Sequence, residues 1–317
     1  MSQAEVLCII HDGMDSRKTA LPRLRVITKG TAGLGQLPVT LTGMVTHGHG
    51  DGAYADFSTD LWPRDSNFTI SSLARCLRKL ERPAIRNSKN LFDEPPLNRF
   101  FEKLMRGKSR CVGAIPEATA DADHVDPLPK RLYLQLDNSA KDNKNQFVFA
   151  FLSLLTARKV FVEIQVGFLM VGHTHEDIDG YFSYVSNVLR RSNTFVLADL
   201  MKHFMESQKL SFMPHVVQEV ADFKSYIKGY VRPLEGIKDK HIFRFFVDSD
   251  GWPVFQYKES ATDGVWLPRA GPHRMWKEDP YGQPLLPTGM PPTLHSVART
   301  DWRVLSVCRV MRGQLLA

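Results

Sequence analysis

The chain has 317 residues, enough to bury a substantial core as one large domain or two ordinary ones. Hydrophobic residues at 43% and charged residues at 24% fit a globular chain and exclude a disordered or fibrous one. The net charge of +7 permits a polyanionic partner, although the charge is spread along the chain.

The first residues lack a basic region and carry only a five-residue apolar run, so they do not read as a signal peptide. That run, residues 6–10, reads as a buried strand leading into His11-Asp12-Gly13. Residues 37–47 alternate as a second strand, 48–52 form a glycine-rich turn and 53–57 a third strand, which together predict a hairpin. Residues 69–80 place Ile70, Leu73, Cys76, Leu77 and Leu80 on one helical face. Residues 82–130 hold several prolines and a basic patch at 103–110 without a clear period, and read as an insertion with one helix near 97–105. A fourth strand, Arg131–Leu136, again leads into an acid, Asp137. An apolar helix follows over 145–155, a strand over 160–168 and a helix over 175–191 with Ile178, Phe182, Val185 and Leu189 inward. Beyond it the pattern gives an amphipathic helix over 198–207 and strands at Ile242–Val247, 253–257 and 264–267. Four arginines between 296 and 317 read as a solvated basic face, with a nucleic-acid contact as the alternative.

Three hairpin-linked strands followed by β-α-β crossovers predict one five-stranded mixed sheet flanked by helices, with the first strand between the second and the fourth. The expected division is a catalytic-type domain over 1–195, interrupted at about 82–130, and a helix plus small strand-rich appendage over 196–317. No run of 18 apolar residues is present, so no membrane span is expected. The four cysteines form no CxxC pair, which argues against a zinc site or disulfide framework and fits an intracellular, not secreted, protein.

The chemistry rests on acids. If the first and fourth strands are neighbours, Asp12 and Asp137 converge, and a third acid from the last helix would complete a carboxylate cluster. Mg²⁺ and Mn²⁺ prefer oxygen donors, and two such ions serve in-line phosphoryl transfer. Each Asp alone would read as a turn or cap residue. The third acid is ambiguous. Thr174 and Asp177 have capping-box spacing, and Glu176 suits a helix N-terminus electrostatically. Asp179 shares a face with His175 and is the better third ligand, with Glu176 as the substitute. His173 and His175 could be read as a zinc pair, but further His or Cys partners are missing nearby, so support of the site or a structural role fits them better.

The blocks IIHDGMDSRKTALPR, LYLQLDNSAKDNKNQFVFAFLSLL and FLMVGHTHEDIDGYFSYVSNVLR resemble those of a family of transposase-like proteins, the DUF7869 domain family, over roughly residues 4 to 285. That family in turn resembles the DDE transposase and integrase branch of the ribonuclease H-like superfamily. The resemblance implies a ribonuclease H-like fold, a DNA partner, possible homo-oligomerisation, nuclear or other intracellular action, and two-metal catalysis. It matches the first-strand acid to Asp12, the fourth-strand acid to Asp137 followed by Asn138, and the helix acid to Asp179. The sequence departs from the pattern where Asp replaces the usual final Glu and where His11 precedes the first acid. The start lies so close to the first strand that no upstream DNA-binding domain is expected within the chain. A non-catalytic, domesticated DNA-binding or protein-interaction module is the alternative, and action on RNA–DNA hybrids would use the same fold.

Overall fold

The computed structural model describes residues 5–33, 35–49, 52–59, 62–81, 128–168, 177–207, 212–260, 262–269 and 271–278. The expected insertion helix near 97–105 and the basic stretch after 296 lie outside them, as do His173, His175 and Glu176.

Strand β1 (Val6–Gly13) runs three residues further than its apolar core, so Asp12 lies inside the strand. Its alternating burial puts Leu7, Ile9 and His11 on one face and Cys8, Ile10 and Asp12 on the other. β2 (Val39–His47) and β3 (Gly52–Thr59) form the expected antiparallel hairpin. Its turn needs a glycine at Gly48, where φ is +84° and an added Cβ would lie 2.6 Å from the Val6 carbonyl oxygen. β1 pairs antiparallel with β2 on one side and parallel with β4 (Arg131–Leu136) on the other, with His11 opposite Leu136. β5 (Glu163–Phe168) continues in parallel beyond β4.

The sheet is larger than the sequence pattern predicts. Its order is β6-β3-β2-β1-β4-β5-β7-β8-β9, nine strands instead of five. β6 (Phe212–Val216) adds in parallel to β3, and β7 (Ile242–Val247), β8 (Pro253–Lys258) and β9 (His273–Arg274) continue past β5. The strands of the tail therefore extend the main sheet. The physical reason is edge pairing: β3 and β5 would otherwise expose rows of unpaired backbone groups. Residues 264–267 contribute only an isolated bridge, Tyr257 to Leu267.

Helices cover the two faces unequally. On one face lie α2 (Ser66–Glu81), α3 (Gln146–Ala157) and the short α6 (Phe223–Ile227). Residues 148–156 of α3 are all buried, because the helix is enclosed by the sheet and by α2 and α6. Phe149 packs edge-on against Phe243 and Phe245 of β7, with ring centres 4.7 and 5.3 Å away. Burial of each such ring stabilises the fold by roughly 1.5–3 kcal/mol. The other face carries α4 (Asp177–Leu189) and α5 (Leu197–Ser207), which bury Ile178, Phe182, Val185, Leu200 and Phe204 against β2 and β3. The single turn α1 (Ser16–Thr19) follows β1. No described helix is long and apolar enough to cross a membrane.

Candidate active site: three aspartates around the ends of β1 and β4

Asp12 faces the α4 side of the sheet, opposite Gly43 of β2. The glycine has a steric cause. A Cβ at Gly43 would lie 3.0 Å from Ile178 Cδ1 and 3.2 Å from the Phe182 ring, so its absence lets the first turns of α4 sit close on the sheet beside Asp12. That approach brings Asp179, half-buried in the first turn of α4, into the electrostatic range of Asp12.

Asp137 follows the last residue of β4, and the β1–β4 register sets it beside Asp12. Its side chain is exposed, while its backbone is clamped. Asn143 Nδ2 donates to the Asp137 carbonyl at 3.2 Å, and Thr69 Oγ1 of α2 donates to Asn143 Oδ1 at 2.9 Å. The next asparagine, Asn145, caps α3 by accepting from Phe147 N and Val148 N, and returns its amide to the Ala140 and Lys141 carbonyls. Lys144 donates to the Lys238 carbonyl at 2.6 Å and lies 5.3 Å from the Phe168 ring centre. The KDNKN segment thus ties the end of β4 to α2, α3 and the end of β5. Asn138 follows Asp137, half-buried.

The electrostatics join the three acids. Burial pushes the Asp12 carboxyl up to about 6, and the negative charges of Asp137 and Asp179 push it the same way. Two groups oppose this: the Gly13 N–H, which donates to Asp12 Oδ1 at 2.7 Å, and Arg64. The Arg64 guanidinium is exposed and passes close to Gly13, where an added Cβ would be 3.4 Å from its Nη2. Sequence reasoning missed Arg64, which lies in the irregular loop before α2 and carries no periodic signal. Asp177 is separate: its carboxylate lies 3.3 Å from His47 Nε2 at the hairpin.

The donor set, carboxylate oxygens from three elements, suits a hard divalent cation. Among the described residues, however, no three His, Cys, Asp or Glu side chains are spaced to hold one ion together. The charges of Asp137 and Asp179 act on Asp12 without the three side chains forming a closed chelate.

His11 takes no part in this cluster. It points to the opposite face, fully buried, and neither ring nitrogen has a hydrogen-bond partner among the described residues. Burial pushes its pKa down to about 4, so the ring is neutral. Near it lies a second acid the sequence did not mark. Asp56 of β3, buried, accepts from Ser72 Oγ (2.6 Å) and Arg75 Nη2 (2.8 Å) of α2, and pairs with His215 Nδ1 (3.1 Å) of β6.

Comparison with known families bears on the C-terminal half of this site. A DUF7869 domain is found at residues 111–263. It is described as a domain of unknown function. The DUF7869 span includes β4, the KDNKN loop, α3, β5, α4 and the strands through β8, and with them Asp137 and Asp179. Asp12 and the β1–β3 meander precede the match, although β4 is hydrogen-bonded directly to β1. No curated protein and no solved structure matches the chain.

Proposed function

We propose that this chain is a metal-dependent polynucleotidyl transferase or nuclease of the ribonuclease H-like, DDE-transposase kind. It acts on DNA, with Asp12, Asp137 and Asp179 as ligands for two Mg²⁺ or Mn²⁺ ions. The observation that carries this reading is the gathering of three aspartates from β1, the end of β4 and the first turn of α4, close enough that the charges of Asp137 and Asp179 add to burial in raising Asp12. The topology supports it: an antiparallel β3-β2-β1 meander, β4 and β5 added in parallel, and then a helix carrying an acid.

When bound, the ions would activate the attacking oxygen and stabilise the leaving oxygen of an in-line displacement. The chain's own groups prepare the site. The Gly13 N–H fixes one Asp12 oxygen, and Asn143 with Thr69 fixes the backbone of Asp137. Arg64 supplies a positive charge at the rim, where a substrate phosphate would sit. Because Asp12 holds its proton up to about pH 6, cation and proton compete, and metal affinity rises as pH passes through that value.

The test is metal titration together with cleavage. Mn²⁺ is expected to stabilise the wild-type chain by about 2.7 kcal/mol at a hundredfold excess over Kd, read as a rise in Tm. Asp137→Asn is expected to lose both that rise and the cutting of labelled DNA. A folded wild-type chain with neither metal response nor cleavage sinks the proposal. A second reading, a non-catalytic DNA-binding or protein-interaction module, draws on the open spacing of the acids. It expects DNA or protein binding with no Mn²⁺ response.

A further inference from the structure

Helices α4 and α5 cover only the β1–β3 side of their face. Beyond Asp137, the same face of β4, β5, β7 and β8 carries no described helix. Strand alternation and register lay out what it presents. Tyr133, Gln165 and Arg244 form one row across β4, β5 and β7, and Gln135 and Lys258 belong to the next row, nearer the acids. The other side of these strands is the aromatic core against α3. A groove of about 570 Å³ lies on this face between β1 and β7, lined largely by apolar groups such as Ile10 and Ile242 together with Tyr133, Gln135 and Gln165.

The chemistry of the rows is specific. Tyr133 is 40% exposed in the middle of a sheet, where an apolar core ring would be covered. Trp266, half-buried, lies under two cations: the Arg244 guanidinium is 4.6 Å from its ring centre and Lys258 Nζ is 4.7 Å away. Arg244 is oriented by donating from Nε (3.1 Å) and Nη2 (2.6 Å) to Gln256 Oε1. Gln165 is already engaged with Glu163, which lies at the end of β5 away from Asp137, opposite Arg131. Aromatic rings interleaved with basic heads match a strand whose bases stack while its phosphates are neutralised. The face has no described helix or ribbon to enter a duplex groove. The net charge of +7 favours a polyanion over an acid-poor protein partner.

We infer that the face of β4, β5, β7 and β8 on which no described helix lies is a track for single-stranded nucleic acid that ends at Asp137. Tyr133 is its stacking platform, Arg244 and Lys258 are its phosphate contacts, and Trp266 holds those two cations in place. The direction of the track rests on the reading of Asp12 and Asp137 as the reaction site, whereas binding along it does not.

The experiment is fluorescence anisotropy with a labelled single-stranded oligodeoxythymidylate and the full chain in EDTA. Tyr133→Ala is expected to weaken binding roughly tenfold. Arg244→Gln and Lys258→Gln are each expected to lower the slope of log affinity against log salt by about 0.7. Wild-type affinity in Tyr133→Ala, whose exposed ring is not needed for folding, overturns the track, as does equal affinity for duplex and single strand. A parallel Mn²⁺ melt keeps the two ideas apart. Tyr133→Ala with weakened binding and an intact Mn²⁺ response supports both. Unchanged binding with an intact response removes the track alone. A wild-type chain that binds the strand through Tyr133 without any Mn²⁺ response keeps the track and removes the metal site.

Discussion

Asp56 and Asp12 make an instructive pair. Asp56 lies opposite Thr42 and Asp12 opposite Gly43, one step apart along β2, yet they point to opposite faces of the sheet. Burial alone would raise the pKa of either. On the α2 face, Asp56 has Arg75, His215 and Ser72 around it, and their charge and hydrogen bonds hold its carboxyl far below the usual carboxylate range. On the α4 face, Asp12 has one backbone N–H and the field of Arg64, and two more aspartates beside it, so it rises to about 6. The structural acid is compensated from within the chain, whereas Asp12 is left with little positive charge around it.

The contrast can be broken from either side, and the largest effect is expected at the compensated acid. Arg75→Ala leaves Asp56 buried without its main counter-charge and should cost about 3–5 kcal/mol in urea unfolding. A loss under about 1 kcal/mol would mean that the network contributes little.

Asp12→Asn is expected to do the reverse in metal-free buffer, raising the Tm at pH 7. The sign follows from proton binding: the folded pKa of about 6 lies above the ordinary 3.8, so the folded state holds the proton more tightly. Wild-type stability should therefore fall as pH rises between those values, by at most about 3 kcal/mol. Asp12→Asn should flatten the decline, and identical Tm–pH curves for the two proteins would refute the assignment.

Gly43→Val drives two methyl groups into Ile178 and Phe182. It should cost about 1–3 kcal/mol through overpacking. Because it lifts α4 from Asp12, it should also weaken the Mn²⁺ response; stability loss with an unchanged response would show that α4 does not set the site.

Asn143→Ala removes the clamp on Asp137 and should cost the fold only about 1–2 kcal/mol. Its larger signature is a Mn²⁺ affinity lower by roughly 10- to 100-fold, measured by calorimetry. Unaltered affinity would reduce Asn143 to a loop residue.

Much of the sheet's middle was legible in the sequence because it is encoded locally. Alternation in VLCIIHDG, the hairpin turn at Gly48 and the RLYLQL run identify β1, β2, β3 and β4, and the crossover rule makes β1 and β4 neighbours. The outer strands were not legible as sheet members. IFRFFV and PVFQYK read as strands, but which free edge they join is decided by Phe243, Phe245 and Phe255 packing on a helix nearly a hundred residues earlier. The Asp56 network was hidden for a related reason. Arg75 lies on what periodicity marks as the polar side of α2, and His215 comes from β6, whose pairing with β3 has no local signal. At the candidate site, Asp12 and Asp137 were marked by the apolar strand runs that lead into them. Asp179 had only its helical position, and Arg64 had nothing.

The place of β1 in the sheet also bears on how the chain is made. It is made before every other described strand, yet it lies inside the sheet, hydrogen-bonded to β2 and β4. β2 and β3 can close on it at once as a meander. The far side of β1 then stays open until Arg131–Leu136 emerges, and the outer side of β3 waits for Phe212–Val216. At roughly 10 residues per second, those waits last many seconds. For that time the nascent chain carries two bare strand edges, the template for pairing with another chain. A chaperone that shields β1–β3 during synthesis would therefore raise the yield of this protein more than one acting after release.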